Sequence, residues 1–265
     1  MSEKHTLGRA RYRGGGVYKN CKNYQIFKGL ESSFDRLNEA SWNIRQMENN
    51  YHNADQFRWA FNGFLRTLKE IISMLSAELQ NDNQEIKKII KSKKEELKND
   101  LLVSFLSKKR DFVVHRSMLK PESKGYIGYF RGSTLKLGLK VPINPLDDSL
   151  KAMERYIYIL AKDEIDTGSG IFPVLQTEED GSGEYTGIQR EWKLPDFPDE
   201  LLILATKAWN KVASVVFNIA ITKGAELTVP VFETQDINKT QIELYDPEWI
   251  SEKLEEARKY YRAND

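Results

Sequence analysis

Apolar residues recur at intervals of three and four through the first half of the chain, which is the spacing that keeps them on one face of an α-helix. The pattern predicts a first helix over residues 30–48, a second from a capping Asn53 or Asp55 to Leu79, and a third over residues 84–106. The second has the most regular pattern. Its apolar positions are Phe57, Phe61, Phe64, Leu65, Leu68, Ile71, Ile72, Leu75 and Leu79.

The pattern changes to strict alternation after Pro121, where apolar residues occupy every second position from Leu135 to Val141. Alternation at period two indicates a strand, so residues 126–130 and 134–141 are predicted to form a β-hairpin around Arg131-Gly132-Ser133. Further strands are predicted at residues 171–176, 185–194, 227–232 and 241–245. Further helices are predicted from Asp147 or Asp148 to Leu160, from Pro198 and Asp199 to Lys223 with Gly224 as the terminator, and over residues 248–262 after Asp246 and Pro247.

These elements predict a mainly α fold with inserted or appended β-hairpins, α+β overall. We expect residues 1–28 to form a basic, flexible N-terminal segment and residues 29–122 to form a helical core. Residues 123–198 are an insertion that contains β-hairpins and one helix, and residues 199–265 supply C-terminal helices with short strands that complete the same domain.

Composition describes an ordinary globular chain, with 40% hydrophobic and 30% charged residues among 265. The net charge of +1 gives no global attraction to nucleic acid, so any such attraction must be local. Cys21 is the only cysteine, which excludes an intrachain disulfide and a zinc finger. The N-terminus lacks the apolar core of a secretory signal, and the apolar stretch 201–221 contains Lys207 and Lys211, which favours a buried helix over a membrane span. A cytoplasmic protein without a membrane partner is expected.

Two basic stretches allow more than one interpretation. The N-terminal segment has Glu3 as its only acid, and it is either a solvated tail or an electrostatic arm that holds a polynucleotide by its phosphates. In the third predicted helix, five lysines are interleaved with three acids, which is more typical of a solvated helix face than of a binding patch. These residues are Lys87, Lys88, Lys91, Lys93 and Lys94, with Glu85, Glu95 and Glu96.

The candidate chemistry lies in the segment that runs from Lys108 to Arg116, in which Arg110 and Asp111 precede His115 by five and four residues. The guanidinium of an arginine is a planar fork of donors suited to phosphate, and histidine exchanges a proton near neutral pH. On a helix, Asp111 and His115 share a face, so the acid can orient the imidazole, while Arg110 lies about 140° around the axis from His115. The alternative is structural: His115 caps a helix and Arg110 makes a surface ion pair.

This segment, placed after long amphipathic helices, resembles the HEPN superfamily of helical bundles, which often carry an arginine, a polar residue and a histidine after three to five intervening positions. The resemblance covers residues 30–119, with the helix near 147–161 or 199–222 completing the bundle, and gives Arg110, Asp111 and His115 the positions of the family motif. It implies a HEPN-like helical core. The β-rich additions lie outside a minimal HEPN bundle, and Ser117 stands where nucleotidyl-modified members have tyrosine.

The resemblance implies a metal-independent endoribonuclease of toxin–antitoxin, anti-phage or RNA-processing type, with no cofactor and no metal. Cleavage of RNA without metal needs a base, an acid and a cation, and a two-fold dimer would supply two histidines and two arginines in one cleft. Lys108, Lys109 and Arg116 are predicted to steer the RNA, and an antitoxin or defence protein is a possible partner. The alternative is a non-catalytic helical interaction or nucleic-acid-binding module. Of the other histidines, His5 lies in the N-terminal segment, and His52 is predicted to be solvated in a polar turn.

Overall fold

The computed structural model describes residues 22–115, 121–168 and 183–263, with the backbone alone for residues 22–24 and 113–115. Helices of the described ranges are α1 (Lys22–Lys28), α2 (Glu31–Asn49), α3 (Ala54–Glu78), α4 (Gln84–Asn99), α5 (Leu101–His115), α6 (Ser149–Thr167), α7 (Leu201–Thr222), α8 (Ile237–Thr240) and α9 (Pro247–Arg262). The strands are β1 (Glu122–Arg131), β2 (Thr134–Pro142), β3 (Tyr185–Leu194), β4 (Phe197–Glu200) and β5 (Ile242–Leu244). The predicted mainly helical, α+β fold is confirmed.

Helices α2 to α5 and α7 share one hydrophobic core. The amide of Ser32, at the start of α2, donates to Glu78 at the end of α3 over 2.6 Å, so these two helices run antiparallel. Asn53 caps α3 as predicted, since its side chain accepts from the amide of Gln56 over 2.9 Å. The indole of Trp209 in α7 donates to the carbonyl of Leu37 in α2 over 2.9 Å, which ties α7 into the bundle.

The third predicted helix is in fact two helices, because Asp100 interrupts it. The backbone of Asp100 is extended (ψ 124°), and its Oδ1 accepts from the amides of Leu102 and Val103 over 3.0 Å each. An aspartate in this position ends one helical hydrogen-bond ladder and caps the next. The apolar periodicity continues across the break, which is why the pattern alone did not show it.

The strands form one antiparallel sheet in the order β2-β1-β3-β4, with β5 also paired to β3. The predicted hairpin is confirmed as β1 and β2, and the predicted strand 185–194 is β3. Residues 171–176 lie outside the described part of the chain. The strand predicted at residues 227–232 is wrong: the backbone of Phe232 bonds instead to the side-chain amide of Asn210, donating over 2.7 Å and accepting over 2.9 Å.

Helices α6 and α9 pack on this sheet and form a second hydrophobic core around Ile127 and Ile188. One face of β3 contacts both cores, because Ile188 lies in the second core and Trp192, four residues further along the strand, lies in the first. Arg190 lies between them on the same face and is fully buried. It therefore occupies the junction of the two cores.

The most apolar helix is α7, which begins after Glu200 and ends before Gly224 (φ 93°). Most of its apolar side chains are buried in the bundle, as the sequence predicted. Among the helices of the described ranges, none combines the length and the apolar character that a bilayer span requires.

Candidate functional site at the end of helix α5

Helix α5 is attached to the bundle through Leu102, Val103 and Leu106, which are buried in the first core. This packing fixes the following turn, where Asp111 meets Lys69 of α3 with an Nζ to Oδ1 distance of 2.6 Å. The hydrogen bond from Lys69, together with the nearby guanidinium of Arg110, lowers the pKa of Asp111 below its usual value. Asp111 is therefore an ionised carboxylate held between two cations.

Arg110 makes few polar contacts with the described residues. Its Nη1 lies 3.2 Å from Oδ1 of Asp111, and its side chain is 22% exposed. Its Nε is buried and has no hydrogen-bond acceptor among the described residues. Both contacts to Asp111 fall on Oδ1, so Oδ2 has no partner within the described part of the chain. Within the described part of the chain, the guanidinium therefore bonds only Asp111, and its remaining donors have no acceptor there.

The backbone of α5 is continuous from Arg110 through His115, so Asp111 and His115 lie one turn apart on the same face, as predicted. The side chain of His115 lies outside what the structure describes, and so does Arg116. Lys108 is exposed. Lys109, predicted to steer RNA, bonds Asp196 over 2.7 Å and lies 5.1 Å from the ring centre of Phe105.

Lys69 is the residue that sequence reasoning missed at this site. It lies 42 residues from Asp111 along the chain, and no local pattern connects the two. Lys69 and Arg110 are the two cations that contact Asp111 among the described residues. The arrangement is a partly exposed cluster of two cations and one ionised carboxylate, formed by α3 and by the helix that carries His115.

A second polar site surrounds a cavity of about 580 Å³ between the α2–α3 turn, the start of α6 and the α8–β5 segment. It contains His52, and the prediction that this histidine is solvated is wrong, because its side chain is only 18% exposed. Its Nε2 lies 3.1 Å from the carbonyl of Thr240, and its Nδ1 lies 2.8 Å from the hydroxyl of Ser149. A carbonyl only accepts, so Nε2 carries the proton and Nδ1 accepts from Ser149.

Burial, and then the charge of Arg190, lower the pKa of His52 to about 4. The ring is therefore neutral at pH 7, and both of its nitrogens are occupied by structural hydrogen bonds. Beside it, Asp148 accepts from the amide of Ala54 over 2.7 Å, which joins the start of α6 to the start of α3. His52 thus connects three segments of the fold and is unsuited to proton transfer near neutral pH.

We expect His52→Gln to change the pH dependence of stability. A histidine whose folded pKa lies below its unfolded value contributes stability that is lost as the pH falls from about 6.5 to about 4, because only the unfolded state takes up the proton. Between pH 7 and pH 5 this loss is about 2 kcal/mol. Urea unfolding at both pH values measures it. The variant should lose about 2 kcal/mol less than the parent, and an equal loss in both proteins would contradict the assignment.

No group of three or more histidine, cysteine, aspartate or glutamate side chains placed to hold a metal ion occurs in the described residues. Comparison with known proteins gives no match: no family model, no curated protein and no solved structure matches this chain.

Proposed function

We propose that this chain is a metal-independent endoribonuclease of HEPN type whose site consists of Arg110, Asp111 and His115. One observation carries the proposal: Arg110 lies on the same continuous helix as His115, and its guanidinium has donors that no described residue occupies. A buried donor without an acceptor is costly. An arriving phosphate oxygen, together with a small shift of the side chain, would remove that cost.

The chemistry is a transesterification in which the P–O2′ bond forms and the P–O5′ bond breaks. A base removes the proton of the ribose 2′-hydroxyl, and the resulting oxygen attacks the adjacent phosphorus. The 5′-oxygen leaves with a proton from an acid, which gives a 2′,3′-cyclic phosphate and a 5′-hydroxyl. His115 fills one of these roles, and the same histidine of a second copy fills the other across a two-fold axis. The proposal therefore requires a homodimer.

The remaining residues act by charge and position. Arg110 stabilises the negative charge that develops on the phosphorane oxygens, since its fork offers two donors at once. Asp111 positions the imidazole through Oδ2, while Lys69 holds Oδ1 and keeps the carboxylate in place. Lys69 and Lys108, with Arg116, add positive charge for the incoming RNA.

The test is cleavage of a structured RNA by the purified full chain in excess EDTA, with the product ends identified chemically. We expect 2′,3′-cyclic phosphate ends, and we expect Arg110→Ala to lower the cleavage rate by about 10²–10³-fold. Arg110→Lys should retain part of the rate, because lysine supplies a charge without the planar fork. A matched control is Arg131→Ala, because Arg131 is an exposed arginine at the end of β1. This control variant should cleave RNA at the parental rate. Undiminished cleavage by Arg110→Ala would exclude the proposed site.

A further inference from the structure

A groove of about 430 Å³ lies between the C-terminal half of α3 and helix α4. One wall is a row of lysines on α4, the other consists of polar side chains of α3 and of the turn after it, and the floor is apolar. The wall lysines are Lys87, Lys91 and Lys94, the polar side chains are Ser76 and Gln80, and the floor is Leu79 and Ile90. Glu95 stands at the rim.

The lysines of the wall form a stripe that the acids of α4 do not neutralise. At 100° per residue, Lys87, Lys91 and Lys94 fall within about 60° of the helix circumference, whereas Glu85 and Glu96 lie on the opposite side. No ion pair joins these three lysines to a carboxylate among the described residues, although Lys87 helps to lower the pKa of Asp82, which bonds Lys223. The interleaved acids pair instead with other lysines: Glu96 with Lys93 at 2.6 Å, and Glu95 with Lys98 at 3.7 Å.

The groove is also aligned with the proposed active site. On α3, the residues Lys69, Ser73 and Ser76 follow one another at spacings of four and three, which places them on one face of the helix, and Gln80 lies in the turn after α3. Ser76 is about 10 Å along the helix axis from Lys69, which bonds Asp111. A few nucleotides of an extended strand span such a distance.

We propose that this groove binds the sugar–phosphate backbone of a single-stranded RNA segment that extends from the cleavage site. The lysine wall contacts phosphates, and Ser76 and Gln80 bond ribose and base edges. Phosphate contacts by lysine position a strand without reading its sequence, so the groove contributes affinity and not sequence preference. The identification of the polyanion as RNA rests on the proposed function.

The experiment measures binding of a fluorescein-labelled single-stranded RNA oligonucleotide by anisotropy, in the His115→Ala background so that the probe is not cut. The groove variant is Lys87→Gln/Lys91→Gln/Lys94→Gln. The control is Lys88→Gln/Lys136→Gln/Lys140→Gln, which removes the same charge from exposed positions outside the groove. We expect the groove variant to bind at least about tenfold more weakly and its log–log salt slope to fall by about two, from about 0.7 per phosphate contact. The control should stay within about twofold of the parent.

Measuring RNA cleavage as well as RNA binding distinguishes the groove proposal from the proposed ribonuclease activity. With His115 intact, the groove variant should cut a dinucleotide, which is too short to reach the groove, at the parental rate, while its KM for a long RNA rises. Equal binding of RNA by groove and control variants would overturn the groove assignment, whether or not the chain cleaves RNA. Equal binding of duplex DNA and single-stranded RNA, both dependent on the three lysines, would overturn the single-stranded RNA assignment. A parent that binds through the groove but cuts nothing would overturn the proposed ribonuclease alone.

Discussion

Replacing His115 with alanine is expected to reduce RNA cleavage in EDTA by about 10²–10⁴-fold, the usual contribution of a group that transfers a proton in the transition state. In a symmetric dimer the substitution removes both the general base and the general acid, because each protomer supplies one copy of the same histidine. KM should change little, since the phosphates are held by cations that the variant retains. For the parent, kcat should show a bell-shaped pH profile, which reports one protonated and one deprotonated group.

The matched control is His5→Ala, the same substitution in the N-terminal segment. It should cleave at the parental rate, and the far-UV circular dichroism of both variants should equal that of the parent. Product yield from a labelled RNA, measured at several enzyme concentrations, gives the rate and shows whether activity depends on dimer formation. If His115→Ala cuts RNA as fast as His5→Ala, the histidine has no part in the reaction, and the family resemblance does not extend to function.

Replacing Arg190 with methionine is expected to lower the free energy of unfolding by about 3–5 kcal/mol, because each buried acceptor left without a donor costs about 1–3 kcal/mol. The guanidinium donates to the hydroxyl of Ser123 and to the carbonyl of Asp147, over 2.8 Å each, and it stacks 3.8 Å from the ring centre of Trp192. Burial lowers its pKa to about 10, so it stays charged at neutral pH. Methionine fills the volume but leaves these acceptors without donors.

Chemical denaturation followed by tryptophan fluorescence measures this loss. Arg131→Met is the control, because Arg131 is exposed and should change stability by no more than about 0.5 kcal/mol. Arg190→Lys keeps the charge without the planar fork, so it should fall between the parent and Arg190→Met and remain measurable if the methionine variant does not fold. If the unfolding free energy of Arg190→Lys lies within about 0.5 kcal/mol of the parent value, the hydrogen bonds of the planar guanidinium do not stabilise the junction of the two cores.

The helices of the bundle and the β1–β2 hairpin could be predicted because their signals are local. Periodicity identified α2 and α3, the residues that start and end helices identified α7 and α9, and the alternation after Pro121 identified the hairpin. The interruption at Asp100 was missed because a capping carboxylate leaves the apolar pattern unchanged. Residues 227–232 have the composition of a strand, but a side-chain amide from α7 takes the backbone groups of Phe232 that a strand would use. In each failure, a contact made by a side chain decided the backbone conformation.

The candidate site, too, could be predicted from the sequence only in part. The order of Arg110, Asp111 and His115 on one helix follows from spacing alone, because a helix places residues four apart on one face. The contact of Lys69 with Asp111, the burial of His52 and the position of Arg190 between two cores join segments separated by 42 to 188 residues. Local pattern carries no information about such pairs, since they form only when packed helices and strands bring distant segments together. Sequence thus specified the elements and the motif, and tertiary packing decided which charges are paired, which are buried and which remain available to a ligand.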